Sequence, residues 1–157
     1  MSTNFTATFM DSHNNAHIGT NFYISLLEFL LTAKQHLIAI GGEHGLTSIQ
    51  AITLIILNDK GGCPMKRLCQ LFHCDASNIT GIVDGLENKG LVTRQNDPND
   101  RRVKTVAISL AGKRLQQQIL DRLAQDNGYM FDPLSPGEVA QFASIVEKIA
   151  LNKKLAC

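Results

Sequence analysis

Two groups of side chains in this sequence carry usable chemistry. Ser77, Asn78 and Thr80, with Gly81 beside them, place hydroxyls and a carboxamide within a few residues of one another. Such groups exchange hydrogen bonds with base edges and phosphate oxygens. Helix capping and plain surface polarity use the same residue types. Arg94, Arg101, Arg102 and Lys104 form the second group. Their cations suit backbone phosphates or the negative potential of a minor groove; the ordinary alternative is a solvated loop. Asp100 sits among them. A carboxylate repels phosphate, so its expected task is to hold Arg102 or the loop amides in place.

The elements that would position these groups are legible. Ile79, Ile82, Val83 and Leu86 fall at i, i+3, i+4 and i+7 and predict one apolar helical face. Asp75 is the expected N-cap and Gly90 the expected stop. The opposite face carries Ser77, Gly81, Asp84 and Asn88, flanked by Asn78, Thr80 and Gly85. Small polar side chains of this kind let a helix lie close to another polar surface. Beyond Gly90 the period changes. Residues 91–94 and 103–108 are short runs rich in β-branched residues, separated by the turn-forming DPNDRR at 97–102. A helix followed by a basic-tipped hairpin is the layout of a winged helix, in which the helix fits a major groove of double-stranded DNA and the wing reaches phosphate or minor groove. Upstream, Met65, Leu68, Cys69 and Phe72 predict a short helix opened by Pro64, and the brief His73-Cys74 turn completes a helix-turn-helix.

The remaining segments read as helical supports. Residues 1–20 are polar, include His13 and His17, and predict a flexible arm. Residues 21–40, NFYISLLEFLLTAKQHLIAI, are apolar on most faces and predict a helix buried on several sides. Gly41-Gly42 is the expected break. Thr47 is the expected cap of a helix with Ile49, Ile52, Ile56 and Leu57 inward, ended by Gly61-Gly62. After the wing, Ser109 caps a long helix with Leu115, Ile119, Leu120 and Leu123 as its stripe and Asn127-Gly128 as its end. Ser135 and Glu138 form a capping box around Pro136, and Val139, Phe142, Val146 and Ile149 are expected inward on the last helix. The expected fold is mainly α with a small β-wing: a flexible arm at 1–20, then a single domain at 21–157 with its winged helix-turn-helix core at about 46–108. The helical segments at about 21–40 and 110–152 exceed what such a core needs, and a homodimer burying them accounts for the excess.

Charge agrees in its distribution. The whole chain carries only +1, but residues 60–114 hold ten Lys and Arg against five Asp and Glu, leaving five against nine elsewhere. Basic character gathers where a polyanion would dock. The four cysteines are Cys63, Cys69, Cys74 and Cys157. Cys69, His73 and Cys74 lack the spacing of a common zinc module. Cys74 stands at a helix N-terminus, where a thiol pKa can fall, and Cys63 is expected in an exposed loop. No metal, no cofactor and no catalytic cluster is expected. Neither a signal peptide nor an apolar run long enough for a membrane is read from the chain, so a cytoplasmic, mostly reduced protein is the expectation.

Three pieces together resemble the MarR (multiple antibiotic resistance regulator) family of bacterial transcription factors. They are LENKGLVTR at 86–94, DPNDRR at 97–102 and ISLAG at 108–112. Asp100 and Arg102 match the family's Asp-x-Arg in the wing. Ile108-Ser109 replaces its Leu-Thr, and Gly112 matches the glycine that follows. The resemblance implies a winged-helix dimer with helical termini at the interface, binding short palindromic operators. It also implies a small-molecule effector as a candidate partner, bound where the dimerisation helices meet the helix-turn-helix. There is one departure: arginines common in the family's recognition helix are replaced by Gly81 and Gly85, which removes long donors and puts arginine-to-guanine readout in doubt. The glycines would let the helix approach DNA closely or weaken its sequence preference. Two alternatives to a DNA-binding repressor follow: a regulator that senses thiol oxidation or metal, and a winged-helix protein interaction module that has lost DNA binding.

Overall fold

A computed structural model describes residues 19–57 and 62–153. Among these the chain runs α1 (Thr20–Glu43), α2 (Ser48–Ile56), β1 (Cys63–Pro64), α3 (Met65–Phe72), α4 (Ala76–Asn88), β2 (Val92–Asn96), β3 (Lys104–Ile108), α5 (Leu110–Phe131) and α6 (Pro136–Lys153). The mainly helical fold with a small β-wing is therefore present. Its contacts divide it into two units, Met1–Lys34 and Gln35–Cys157. The expected arm lies outside the described residues up to position 18, as does Gly61 of the expected stop after α2.

The second unit is built around the helix-turn-helix and the sheet. Ala51, Leu54 and Leu57 of the α2 segment, Leu68 of α3, and Ile79, Val83 and Leu86 of α4 are buried together with Val92, Val106 and Ile119. Burying an aliphatic side chain of this size contributes about 2 kcal/mol. Thr47 and Gln50 cap α2 reciprocally: the Gln50 N–H donates to Thr47 Oγ1 (3.3 Å) and the Thr47 N–H to Gln50 Oε1 (3.1 Å). Its inward stripe is Ala51, Leu54 and Leu57 rather than the expected Ile49, Ile52 and Ile56, which are only half-buried. At its far end Gln116 of α5 donates from Nε2 to the carbonyls of Leu54, Ile55 and Leu57 at 2.7–3.0 Å. Carbonyls that the helix leaves without intrahelical donors are thereby satisfied by a side chain.

Three expected boundaries move. Gly41-Gly42 does not break the first helix, which continues to Glu43. Two glycines cost roughly 1 kcal/mol each in a helix interior, but Gly41 is needed bare, since a Cβ there would lie 3.1 Å from the Leu46 carbonyl oxygen. The real stop is Gly45, at φ +64°, with Gly45 N–H donating to Gly42 O and Leu46 N–H to Gly41 O. Likewise α5 passes through the Asn127-Gly128 dipeptide to Phe131. It stops just before Asp132-Pro133, where a residue preceding proline disfavours helix. The third change concerns Cys63. Instead of lying in an exposed loop it is buried in β1 and pairs with Val106, so the wing hairpin is part of a three-stranded antiparallel sheet ordered β1-β3-β2.

The long helices remain exposed on apolar faces. Phe22, Tyr23, Leu27 and Leu31 of α1 are about half exposed or more. Val146 and Ile149 of α6, expected inward, are likewise open. By length and composition α1 suffices to cross a membrane, which corrects the expectation that no apolar run is long enough.

Candidate nucleic-acid interface

Helix α4 begins on a well-made cap. Asp75 Oδ1 accepts from the Asn78 N–H and from Ser77 Oγ, both at 2.8 Å. These two hydrogen bonds, the backbone one first, hold the Asp75 carboxyl below the usual range. Thr80 Oγ1 in turn donates to the Ala76 carbonyl at 2.7 Å. The protons of Ser77 and Thr80 are thus directed inward, so both hydroxyls offer lone pairs to whatever approaches. Their natural counterparts on DNA are amino donors of adenine or cytosine rather than phosphate oxygens. Asn78 is exposed and its carboxamide can both donate and accept.

The end of α4 aims the wing. Gly90 at φ +69° closes the helix, its N–H donating to Glu87 O (2.8 Å) and the Leu91 N–H to Leu86 O (3.0 Å). The chain then enters β2, which pairs with β3 from Val92↔Ile108 to Asn96↔Lys104. In the loop between them Asp97 Oδ1 accepts from the Asn99 N–H at 2.8 Å, and the Asp97 N–H donates to Val103 O at 2.9 Å. Arg102 lies at the tip with its side chain 91% exposed. Asp100 grips it on one side: Nε donates to Oδ1 and Nη2 to Oδ2, each at 3.0 Å, and the Arg102 N–H also donates to Oδ1. Arg102 in turn holds the Asp100 carboxyl below its ordinary range. Arg101 is exposed beside them. Lys104 donates from Nζ to Asn96 Oδ1 across the strand pair at 2.6 Å.

Between α4 and the wing runs a cleft lined by Met65, Ala76, Thr80, Arg94, Gln95, Asn96 and Lys104. It brings together Thr80, Arg94 and Lys104 of the expected set. Ser77, Asn78 and Gly81 are exposed on α4, while Asp100, Arg101 and Arg102 are at the far end of the hairpin. Arg94 differs from the other cations, because its guanidinium is engaged by Asp84, Glu87 and the Thr80 carbonyl. Asp84 and Glu87 are not part of the expected site. Their signal in the sequence is two acids on a helix that otherwise has a neutral outer face.

The two unusual glycines separate. A Cβ on Gly81 would meet nothing within 4 Å, whereas one on Gly85 would fall 2.2 Å from Nε2 of Gln50. Gly85 makes room for the α2 cap, and only Gly81 leaves open space outside the helix. Gly81→Ala is therefore expected to raise stability by about 1 kcal/mol, the ordinary helix gain. Gly85→Ala should gain nothing, because it displaces Gln50 from its reciprocal cap. Urea unfolding of the two variants checks this, and equal gains at both sites would contradict it.

Cys69 and Cys74 are free and half-buried. The expected lowering of the Cys74 pKa is reversed: burial first, then the neighbouring Cys69 and Asp75, push the thiol up. No group of three or more metal-ligating side chains occurs among the described residues.

Residues 46–104, from the α1–α2 link to the start of β3, match the MarR family. The chain is 31% identical over 112 residues to the HTH-type transcriptional regulator MhqR of Bacillus subtilis, covering 71% of this chain and 77% of that protein. It is 31% identical over 104 residues to the HTH-type transcriptional repressor NicR of Pseudomonas putida, covering 66% of each. Among solved structures it is similar to CouR of Rhodococcus jostii RHA1 bound to p-coumaroyl-CoA. That match has 26% identity and a TM-score of 0.66, and covers 85% of this chain and 92% of that one.

Proposed function

The chain belongs to the MarR family of DNA-binding transcriptional regulators, and from that premise we propose that it is a homodimeric repressor of palindromic double-stranded operators. The observation that carries this reading is the pairing of an exposed polar helix face on α4 with a hairpin whose tip holds Arg102 out in solvent on its own carboxylate. Ser77, Asn78, Thr80 and Gly81 face base edges in the major groove. Arg101 and Arg102 reach the flanking minor groove, and Lys104 meets phosphate. The repressor assignment follows the NicR similarity, and release by a small ligand follows the CouR complex. Selecting duplex fragments with the purified protein, then titrating the winners at several salt concentrations, tests the reading. Salt-dependent, sequence-selective binding is expected, and no binding to any duplex at low salt would end it.

The dimer rests on apolar surface. Phe22, Tyr23, Leu27 and Leu31 on α1, and Ile145, Val146 and Ile149 on α6, are exposed in the single chain. Patches of that kind call for a partner, and a second copy covers those of α6 as well as those of α1. A membrane would cover α1 alone. Sedimentation in detergent-free buffer is expected to give twice the chain mass at micromolar concentration. A monomer that partitions onto vesicles would replace the dimer reading.

A further inference from the structure

We propose that Arg94 is a positioning residue that cancels the acids of the recognition helix and ties the wing to it, and does not itself contact DNA. The inference rests on the DNA-binding reading above and assigns a different task to one of its cations. Asp84 follows Ser77 and Gly81 at helical spacing, so its carboxylate stands on the face that must approach phosphate. Left alone, it and Glu87 would repel the duplex from the middle of the interface.

Arg94 answers both acids at once. One guanidinium nitrogen meets Glu87 Oε2, the other meets Asp84 Oδ1, and the latter also donates to the Thr80 carbonyl at 3.2 Å. The Arg94 backbone N–H donates to Glu87 Oε1 at 3.0 Å, so Glu87 holds both the side chain and the strand. Arg94 also pairs across the sheet with Val106 of β3. One residue thereby fixes β2 against α4 and sets the angle of the hairpin that carries Arg102. Its side chain is 27% exposed, against 91% for Arg102. Burial works against its charge, yet the two carboxylates outweigh that and raise its pKa. A planar fork can span two carboxylates and a carbonyl; a lysine ammonium cannot hold the same geometry.

The test is a double-mutant cycle on the full chain, with duplex affinity and its salt dependence as readouts. Arg94→Gln alone is expected to weaken binding by about tenfold or more, because it exposes two uncompensated carboxylates per copy. In the Asp84→Asn/Glu87→Gln background the same Arg94→Gln change is expected to alter affinity by less than about twofold and to leave the log–log salt slope unchanged. A residue that neutralises phosphate behaves differently. Its loss in the acid-free background would still cost about tenfold and lower the slope by about two per dimer, and that result overturns the proposal. If Arg94→Gln alone does not fold, comparing the two acid-free variants, which leave no carboxylate unpaired, still separates positioning from phosphate contact. A wild-type chain that binds no duplex would instead remove the DNA-binding reading, and this inference with it. Binding by the wild type with a direct-contact pattern in the cycle would remove this inference alone.

Discussion

Arg102→Ala is expected to weaken binding to specific and nonspecific duplexes alike, by roughly tenfold or more for a dimer that loses two such contacts. Gly81 and Gly85 leave α4 without cations of its own, and Arg94 is occupied by Asp84 and Glu87. The wing therefore carries an unusual share of the electrostatic attraction. Of the guanidinium, Asp100 engages Nε and Nη2, which leaves Nη1 outside this pair. A cation held this way reaches the negative potential of a narrow minor groove without first being ordered. Because a dimer loses two such contacts, the log–log salt slope should fall by about two. Asp100→Ala should also weaken binding although it deletes a negative charge, since it frees the arginine from its holder. The sign with pH follows from the lowered Asp100 pKa. The grip is complete from neutral pH down to the ordinary carboxylate range, and it is lost only as pH falls through the depressed value. Titrations at several salt concentrations, with the dimer checked by sedimentation, measure all three effects. An Arg102→Ala dimer with wild-type affinity and slope would take the wing out of the mechanism.

Gly112→Ala should be the most damaging single methyl in the described residues. Its Cβ would lie 2.0 Å from the Leu91 carbonyl oxygen and 2.8 Å from Ile108 Cγ1. The first of these is backbone at the start of the wing, and the same oxygen already accepts the Ser109 N–H at 3.0 Å. Ser109 in turn donates from Oγ to Gly90 O (2.6 Å) and accepts the Gly112 N–H (2.9 Å), so the cap of α5 and the stop of α4 form one hydrogen-bonded knot. Neither side can yield without opening it. Overpacking of this kind costs about 3 kcal/mol, well above the roughly 1 kcal/mol that alanine gains in a helix. The midpoint of thermal unfolding should drop by about 10 °C for a chain of this size. A wild-type midpoint in Gly112→Ala would mean that α5 does not approach the wing as closely as described. The contrast with Gly81→Ala, which should stabilise, comes from the neighbours alone.

The sequence by itself determined the reading head and most of its punctuation. Asp75, Thr47, Ser109 and the Ser135–Glu138 pair cap the helices expected of them, and Gly90 stops α4. Each is a contact between near neighbours in the chain, governed by backbone groups that any helix end leaves open. The inner face of α4 followed from its period, and the Asp100–Arg102 pair spans only two residues. Tertiary structure decided whatever depended on partners far along the chain. Gly41 stands where a Cβ would press to 3.1 Å from the Leu46 carbonyl oxygen, and Gly85 leaves room for Gln50 of α2. Cys63 becomes a strand because β3, some forty residues on, presents Val106 to it. Arg94 looked like one more cation of a basic hairpin, since charge and spacing are all that a sequence displays. Its two carboxylates lie seven and ten residues back, on the helix before its strand, beyond the reach of any local turn. Only folding brings them within reach, because a side chain's electrostatic role is set by distance in space rather than by distance along the chain.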